Sequence, residues 1–169
     1  IRKANGRTIV VPLSAGLDSR LIASGLKHFG YKNVKCFSYG KKNNFEAIAA
    51  KKIAKKLGYS WIFCEINRVN INKFYQTETF KNFIKSTNDG VATMGIQDVY
   101  AIYYLKKINF IKKNDIIVNG NSGDFISGGH IPIEFKKNIY LLNKKNSNNY
   151  ESIINSILKI HMKKHYSLW

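Results

Sequence analysis

Short apolar runs alternate with helical periodicities along most of the chain. Thr8–Ser14 (TIVVPLS) is an apolar run ending in a glycine-containing turn, the pattern of a buried strand. Pro12 near its end argues against full pairing, because proline has no backbone donor. From Ser19 to Phe29 the residues Leu21, Ile22, Leu26 and Phe29 recur at helical spacing, and Gly30 is placed to stop that helix. Val34–Tyr39 (VKCFSY) predicts a second strand. Phe45–Leu57 predicts a helix with Ile48, Ala49, Ile53 and Leu57 on one face and Gly58 behind it. Trp61–Ile66 (WIFCEI) predicts a third strand.

Strand, helix, strand, helix, strand with short links is the signature of right-handed βαβ units. Two helices are expected next, over Asn72–Ser86 and Ile96–Ile111, separated by the turn Asn88-Asp89-Gly90. A fourth strand, Ile116–Val118, opens into the polar, glycine-rich segment Asn119–His130. Asn143–Asn149 has the polarity of a linker, and Ile153, Ile154, Ile157, Leu158 and His161 line one side of a last helix. No internal repeat interrupts this order. The expected fold is α/β, an open parallel sheet with helices on both faces. Residues 1–142 are expected to form its domain, and 143–169 a linker and helix that begin a further helical part.

Ligands of open α/β sheets bind outside the carboxyl ends of the strands. Two loops of unusual composition fall there. In the first, Pro12–Arg20 (PLSAGLDSR), Ser14, Gly16 and Ser19 surround a tight strand-to-helix turn. Free backbone N–H groups and the positive end of the following helix suit an anion, and the two hydroxyls add donors. Asp18 would repel a phosphate directly, which points to an intervening Mg²⁺. Walker A chemistry needs a Lys before its Ser/Thr, and none is present. A plain turn with Asp18 or Ser19 as helix N-cap accounts for the same residues without any ligand.

Leu13-Ser14-Ala15-Gly16-Leu17-Asp18-Ser19 resembles the SGGxDS signature of the PP-loop ATP pyrophosphatases, and within them the LSGGLDS loop of the asparagine synthetases. Ala15 stands where the middle glycine is usual. The second loop, Ile117–His130 (IVNGNSGDFISGGH), resembles the family segment VLSGEGSDEVFGGY, with Gly120, Asp124, Gly128 and Gly129 in register. The resemblance implies a fold of the Rossmann-related HUP/PP-loop type, with ATP and Mg²⁺ as cofactors. It implies that Asp18 and Asp124 hold Mg²⁺ across the pyrophosphate and are the catalytic pair. Ser14, Gly16 and Ser19 would bind phosphate, Leu13 and Tyr39 would embrace the adenosine, and Asn119 and Gly120 would contact the nucleotide. As strand-end residues, Leu13 and Tyr39 are equally explained by core packing, and Asp124 by a glycine-rich surface turn. Gln97 and Asp98 begin a helix and stay outside the candidate set, since a cap explains Asp98 as well as a crevice does.

The implied reaction joins a substrate carboxylate to the α-phosphorus of ATP, releases pyrophosphate and passes the acyl group to ammonia. The family carries Glu where this chain has Asn121 and Phe125, so the nucleotide half of the site matches better than the amidation half. The texture of the two loops is similar to asparagine-synthase-related proteins of surface-polysaccharide gene clusters, which makes a sugar acid an expected substrate. Ile1 opens directly on the synthetase-like part, so the chain is expected to be a piece of a longer protein. Its ammonia would come from a glutaminase domain elsewhere or from solution.

Charge and composition alter this picture little. The chain has 169 residues and 28 Lys+Arg against 10 Asp+Glu, a net charge of +18. Such a field attracts nucleic acid, anionic membranes or phosphate-bearing ligands. The lysines are spread with asparagine throughout rather than concentrated with interleaved aromatics, so nucleic acid is not the favoured partner. A tRNA-modifying PP-loop enzyme and a degenerate nucleotide-binding domain remain the alternatives. Cys36 and Cys64 sit inside strand-like runs without ligand spacing and are expected to be buried thiols. No apolar run reaches the length of a membrane span, and a cytoplasmic setting is expected.

Overall fold

The computed structural model describes residues 1–87 and 96–120, and helical positions 151, 154, 155, 158 and 159. Two units divide the chain, Ile1–Gly120 and Asn121–Trp169. The expected boundary at 142/143 lies outside the described residues, as do the Asn88–Gly90 turn and the linker at 143–149.

After a 3-10 turn at Arg2–Ala4, the first unit runs β1 (Ile9–Pro12), α1 (Leu17–His28), β2 (Val34–Gly40), α2 (Phe45–Leu57) and β3 (Ser60–Glu65). It continues with α3 (Arg68–Tyr75), α4 (Glu78–Thr87), α5 (Ile96–Lys107) and β4 (Ile116–Ile117). The four strands form one sheet in the order β3-β2-β1-β4, and every pairing is parallel. Alternation along the strands divides the core in two. Val11, Leu13 and Cys36 pack against Ala23 and Leu26 of α1 and Ala50 and Ala54 of α2. Val10, Phe37 and Cys64 pack against Phe74 of α3 and Tyr100 and Leu105 of α5. Helices therefore cover both faces, as expected.

The helical faces differ in detail from the expected ones. Leu26 is buried and Ile22 packs against the core as expected, but Leu21 and Phe29 are 74% and 72% exposed, and Ala23 faces inward with Leu26. In α2 the fully buried positions are Ala50 and Ala54, while Ile48 is 48% exposed. The fully buried alanines lie in the same cluster as Ile53 and Leu57, which pack against it as expected. Both helices end as anticipated, with Gly30 and Gly58 at positive φ (70° and 75°).

The single helix expected over Asn72–Ser86 is two helices. Asn67 caps the first by accepting from the Asn70 N–H at 2.9 Å, so it starts earlier, at Arg68. The Thr77 hydroxyl donates to the Phe74 carbonyl (2.7 Å) and accepts from the Phe80 N–H (3.2 Å), closing α3 and opening α4. The helix expected to reach Ile111 stops at Lys107. Asn109 is left-handed there (φ 56°), and the Phe110 N–H returns to the Leu105 carbonyl at 2.9 Å.

Among the described residues no helix is long and apolar enough to cross a membrane. Cys36 and Cys64 are free and buried, and burial pushes each thiol up to about 12.

Candidate functional site

The carboxyl end of β1 is where the sheet opens. Leu13 donates its N–H to the Phe37 carbonyl at 2.8 Å, the last rung between β1 and β2. On the other edge, the Val118 N–H donates to the Val10 carbonyl at 3.0 Å. The next rung of that ladder would need a donor from Pro12, which has none. Pro12 thus ends the β1–β4 pairing where the chain from Val118 to Gly120 leaves the sheet.

The loop after β1 folds on its own hydroxyls. The Ser14 N–H donates to Ser19 Oγ at 3.1 Å, the two Oγ atoms lie 3.0 Å apart, and the Gly16 N–H donates to Ser14 Oγ at 3.1 Å. One hydroxyl hydrogen is used between the serines, so one is left to donate elsewhere. Gly16 is the N-cap of α1 in extended conformation (φ −65°, ψ 157°), with no side-chain cap bond. The cap is therefore neither Asp18 nor Ser19; both lie in the first helical turn, Asp18 half-buried and Ser19 buried. The first N–H groups of that turn have no carbonyl one turn back, so they face outward as donors. Arg20, which sequence reasoning passed over, donates from Nε to the Gly16 carbonyl at 3.1 Å. That contact places a guanidinium against the loop.

The second loop begins in contact with the first. A Cβ at Gly120 would stand 2.8 Å from Asp18 Cβ and 2.9 Å from the Ser19 N atom. Only a residue without a side chain admits this approach. Asn119 beside it is exposed. Asp124 and the remainder of this loop, including Asn121 and Phe125, lie outside the described residues.

Leu13 is buried at 2% exposure, which supports the core-packing account of its side chain. Tyr39 is half-buried at the carboxyl end of β2 and pairs with Cys64 of β3. In a parallel strand the main-chain groups of alternate residues point to the same side. Phe37 directs its carbonyl to β1, so Tyr39 turns its N–H and C=O to that side too, beyond the last β1 rung. A donor and an acceptor thus face the opening above β1. The Tyr39 hydroxyl donates to Asp98 Oδ1 of α5. Burial, then the hydrogen bond and charge of Asp98, with a further contribution from Glu46, push the phenol above its ordinary range, so it stays protonated. Sequence reasoning left Asp98 out because a helix cap accounted for it equally well; its partner in the structure lies 59 residues away.

At the same end of the sheet, a concavity of about 460 Å³ separates the turns after β2 and β3. Lys41, Lys42 and Arg68 give it a cationic rim, and Glu65 is the acidic residue in its wall.

A strand-to-helix loop of backbone donors, closed from the far side by a glycine of another strand end, is the architecture of a phosphate-binding α/β domain. The chain belongs to the asparagine synthase family, whose model matches residues 2–168. No curated protein matches it. Among solved structures it is similar to a predicted subunit of tRNA methyltransferase from Methanocaldococcus jannaschii, at 22% identity and TM-score 0.37 over 68% of this chain and 52% of that one. It is also similar to the NH3-dependent NAD synthetase of Campylobacter jejuni, at 18% identity and TM-score 0.45 over 75% of this chain and 54% of that one. The glutamine-dependent NAD+ synthetase of Acinetobacter baumannii, in complex with ADP, is similar at 19% identity and TM-score 0.46 over 75% of this chain and 24% of that one. The chain therefore spans about half or less of the length of these structures. Its family is one of ATP-utilising, ligase-type enzymes.

Proposed function

We propose that this chain binds ATP at the opening above β1 and breaks it between the α- and β-phosphates to activate a carboxylate for amide formation. The observation that carries the reading is the close approach of Gly120 to Asp18 and Ser19, which joins the two strand-end loops most similar to the family. The pyrophosphate portion sits on the N–H groups of the first turn of α1, with the Ser14 and Ser19 hydroxyls and Arg20 around it. The Tyr39 main-chain N–H and C=O match the acceptor and donor along an adenine edge, and Asn119 flanks the nucleoside, with the buried Leu13 shaping the strand end beneath it. Asp18 suits a hard cation that takes oxygen ligands, and Asp124 is its proposed partner. Mg²⁺ held there would supply charge neutralisation to the departing pyrophosphate.

A carboxylate oxygen of the substrate forms a bond to the α-phosphorus as the bond to the bridging oxygen breaks, giving an acyl-adenylate and pyrophosphate. Ammonia then attacks the acyl carbon, AMP leaves and the nitrogen loses a proton. The chain contributes position and charge complementarity rather than covalent chemistry. A sugar acid is the proposed carboxylate, because Asn121 and Phe125 replace the acidic residues with which the family's amidation half is built. The cationic rim at Lys41, Lys42 and Arg68 favours an acidic molecule.

ATP–pyrophosphate exchange tests this across aspartate, glutamate and a set of uronic acids. Exchange dependent on one carboxylate is expected, and silence with every carboxylate, despite tight ATP binding, would favour a degenerate nucleotide-binding domain. The net charge of +18 supports a second reading, a tRNA-modifying enzyme of the same PP-loop type. That reading requires tRNA affinity that survives physiological salt and falls steeply above it.

A further inference from the structure

Tyr39 has two independent jobs on the two sides of β2. Its main-chain groups face the opening above β1, while its ring lies on the opposite face of the sheet, against the cluster built by α3 and α5. Strand β2 is held at this point along one edge. Tyr39 pairs with Cys64 and Gly40 with Glu65, and the Ile66 N–H donates to the Gly40 carbonyl at 2.8 Å. On the other edge, main-chain pairing with β1 has already stopped, and the last link is the Ser38 hydroxyl, which donates to the Leu13 carbonyl at 2.6 Å. A strand end paired on one edge opens at lower free energy than the sheet interior. The bond from the Tyr39 hydroxyl to the Asp98 carboxylate is the polar tether of the side chain itself.

We infer that Asp98 is a positioning residue: by holding the Tyr39 ring against α5, it fixes the Tyr39 main chain that reads the adenosine. This inference rests on the nucleotide reading given above. The phosphate end of the site does not depend on the tether. Ser14, Gly16 and Ser19 are fixed by hydrogen bonds within their own loop, and Gly120 abuts them directly. Asp98 therefore acts on the nucleoside and leaves the pyrophosphate subsite unchanged.

Calorimetric titration of the whole chain with Mg·ATP and with Mg·pyrophosphate tests this for wild type, Y39F, D98A, D98N and the Y39F/D98A double variant. Losing one hydrogen bond to a charged group on a half-buried partner is expected to weaken ATP by about five- to tenfold in Y39F and D98A. Pyrophosphate affinity is expected to stay at the wild-type value in both. The amide introduced by D98N keeps an oxygen that accepts from the phenol, so this variant is expected to bind ATP nearly as wild type does. The double variant is expected to be no weaker than either single one, since the two changes remove one interaction. Wild-type ATP affinity in D98A would overturn the inference alone. An equal loss of ATP and pyrophosphate would overturn it too, because Asp98 would then support the whole domain. A wild-type chain that binds neither ligand would overturn the nucleotide reading and the tether with it.

Discussion

Gly120 carries more of the site's geometry than any charged residue does. Its missing side chain lets β4's exit touch the first turn of α1, and any Cβ there meets Asp18 and the Ser19 N atom below 3.0 Å. Gly120→Ala is expected to push the strand end away from the loop, costing about 1–3 kcal/mol through overpacking. Mg·ATP affinity should fall by at least tenfold, because the displaced backbone is part of the proposed nucleotide site. Denaturant unfolding and ATP titration measured on the same preparation separate the two effects. Unchanged affinity would remove Gly120 from the site. At this scale the sequence was informative where chemistry is local. Ser14, Gly16 and Ser19 act within one short loop, and their spacing was enough to single them out. The sequence could not decide between cap and crevice for Asp98, nor say which ladder Pro12 interrupts, because each matters through a strand far away in the chain. Asp98 needs Tyr39, and Pro12 needs the ladder to β4.

Elements were legible wherever their limits are written in glycine and broad periodicity. The four strands and α2 fall where the apolar runs and Gly58 put them. The break between α3 and α4 was not legible, because no glycine or proline marks it and apolar residues continue on both sides. One hydroxyl makes the break, by serving the last turn of α3 and the first turn of α4 together. Thr77→Ala is therefore expected to lower stability by about 1 kcal/mol, with Thr77→Ser restoring most of it. Urea unfolding monitored by circular dichroism checks the pair. If alanine and serine prove equivalent, the break has another cause, such as the packing of Phe74 against Phe80, whose rings lie 5.3 Å apart. The faces of α1 and α2 were partly misjudged for a related reason. Large apolar residues dominate a periodicity, and Ile22, Leu26, Ile53 and Leu57 do pack against the core, but the small, fully buried Ala23, Ala50 and Ala54 beside them carry no such signal.

Across the unit Ile1–Gly120 the sheet is a partition between two cores, and each core encloses one thiol from a strand, Cys36 on one side and Cys64 on the other. Burial raises each from an ordinary 9.0 to about 12. Between those values the unfolded chain has released a proton that the folded chain still holds. The stability contributed by neutral burial is thus complete below pH 9 and is lost as pH rises toward 12. The shift sets a ceiling of about 4 kcal/mol per thiol. A chain of net charge +18 complicates the raw curve, since lysines that discharge in the same range relieve self-repulsion and act in the opposite direction. Comparing wild type with C36A/C64A cancels the lysine contribution, because both chains carry the same lysines. Removing the thiols leaves cavities, so the variant starts less stable at neutral pH by an amount that pH does not alter. The difference between the two chains is expected to narrow steadily above pH 9, and reagent-accessible thiols should appear in the wild type only as it unfolds. A constant difference across that range would mean that the two cores admit water to their cysteines, which a close-packed sheet covered on both faces does not allow.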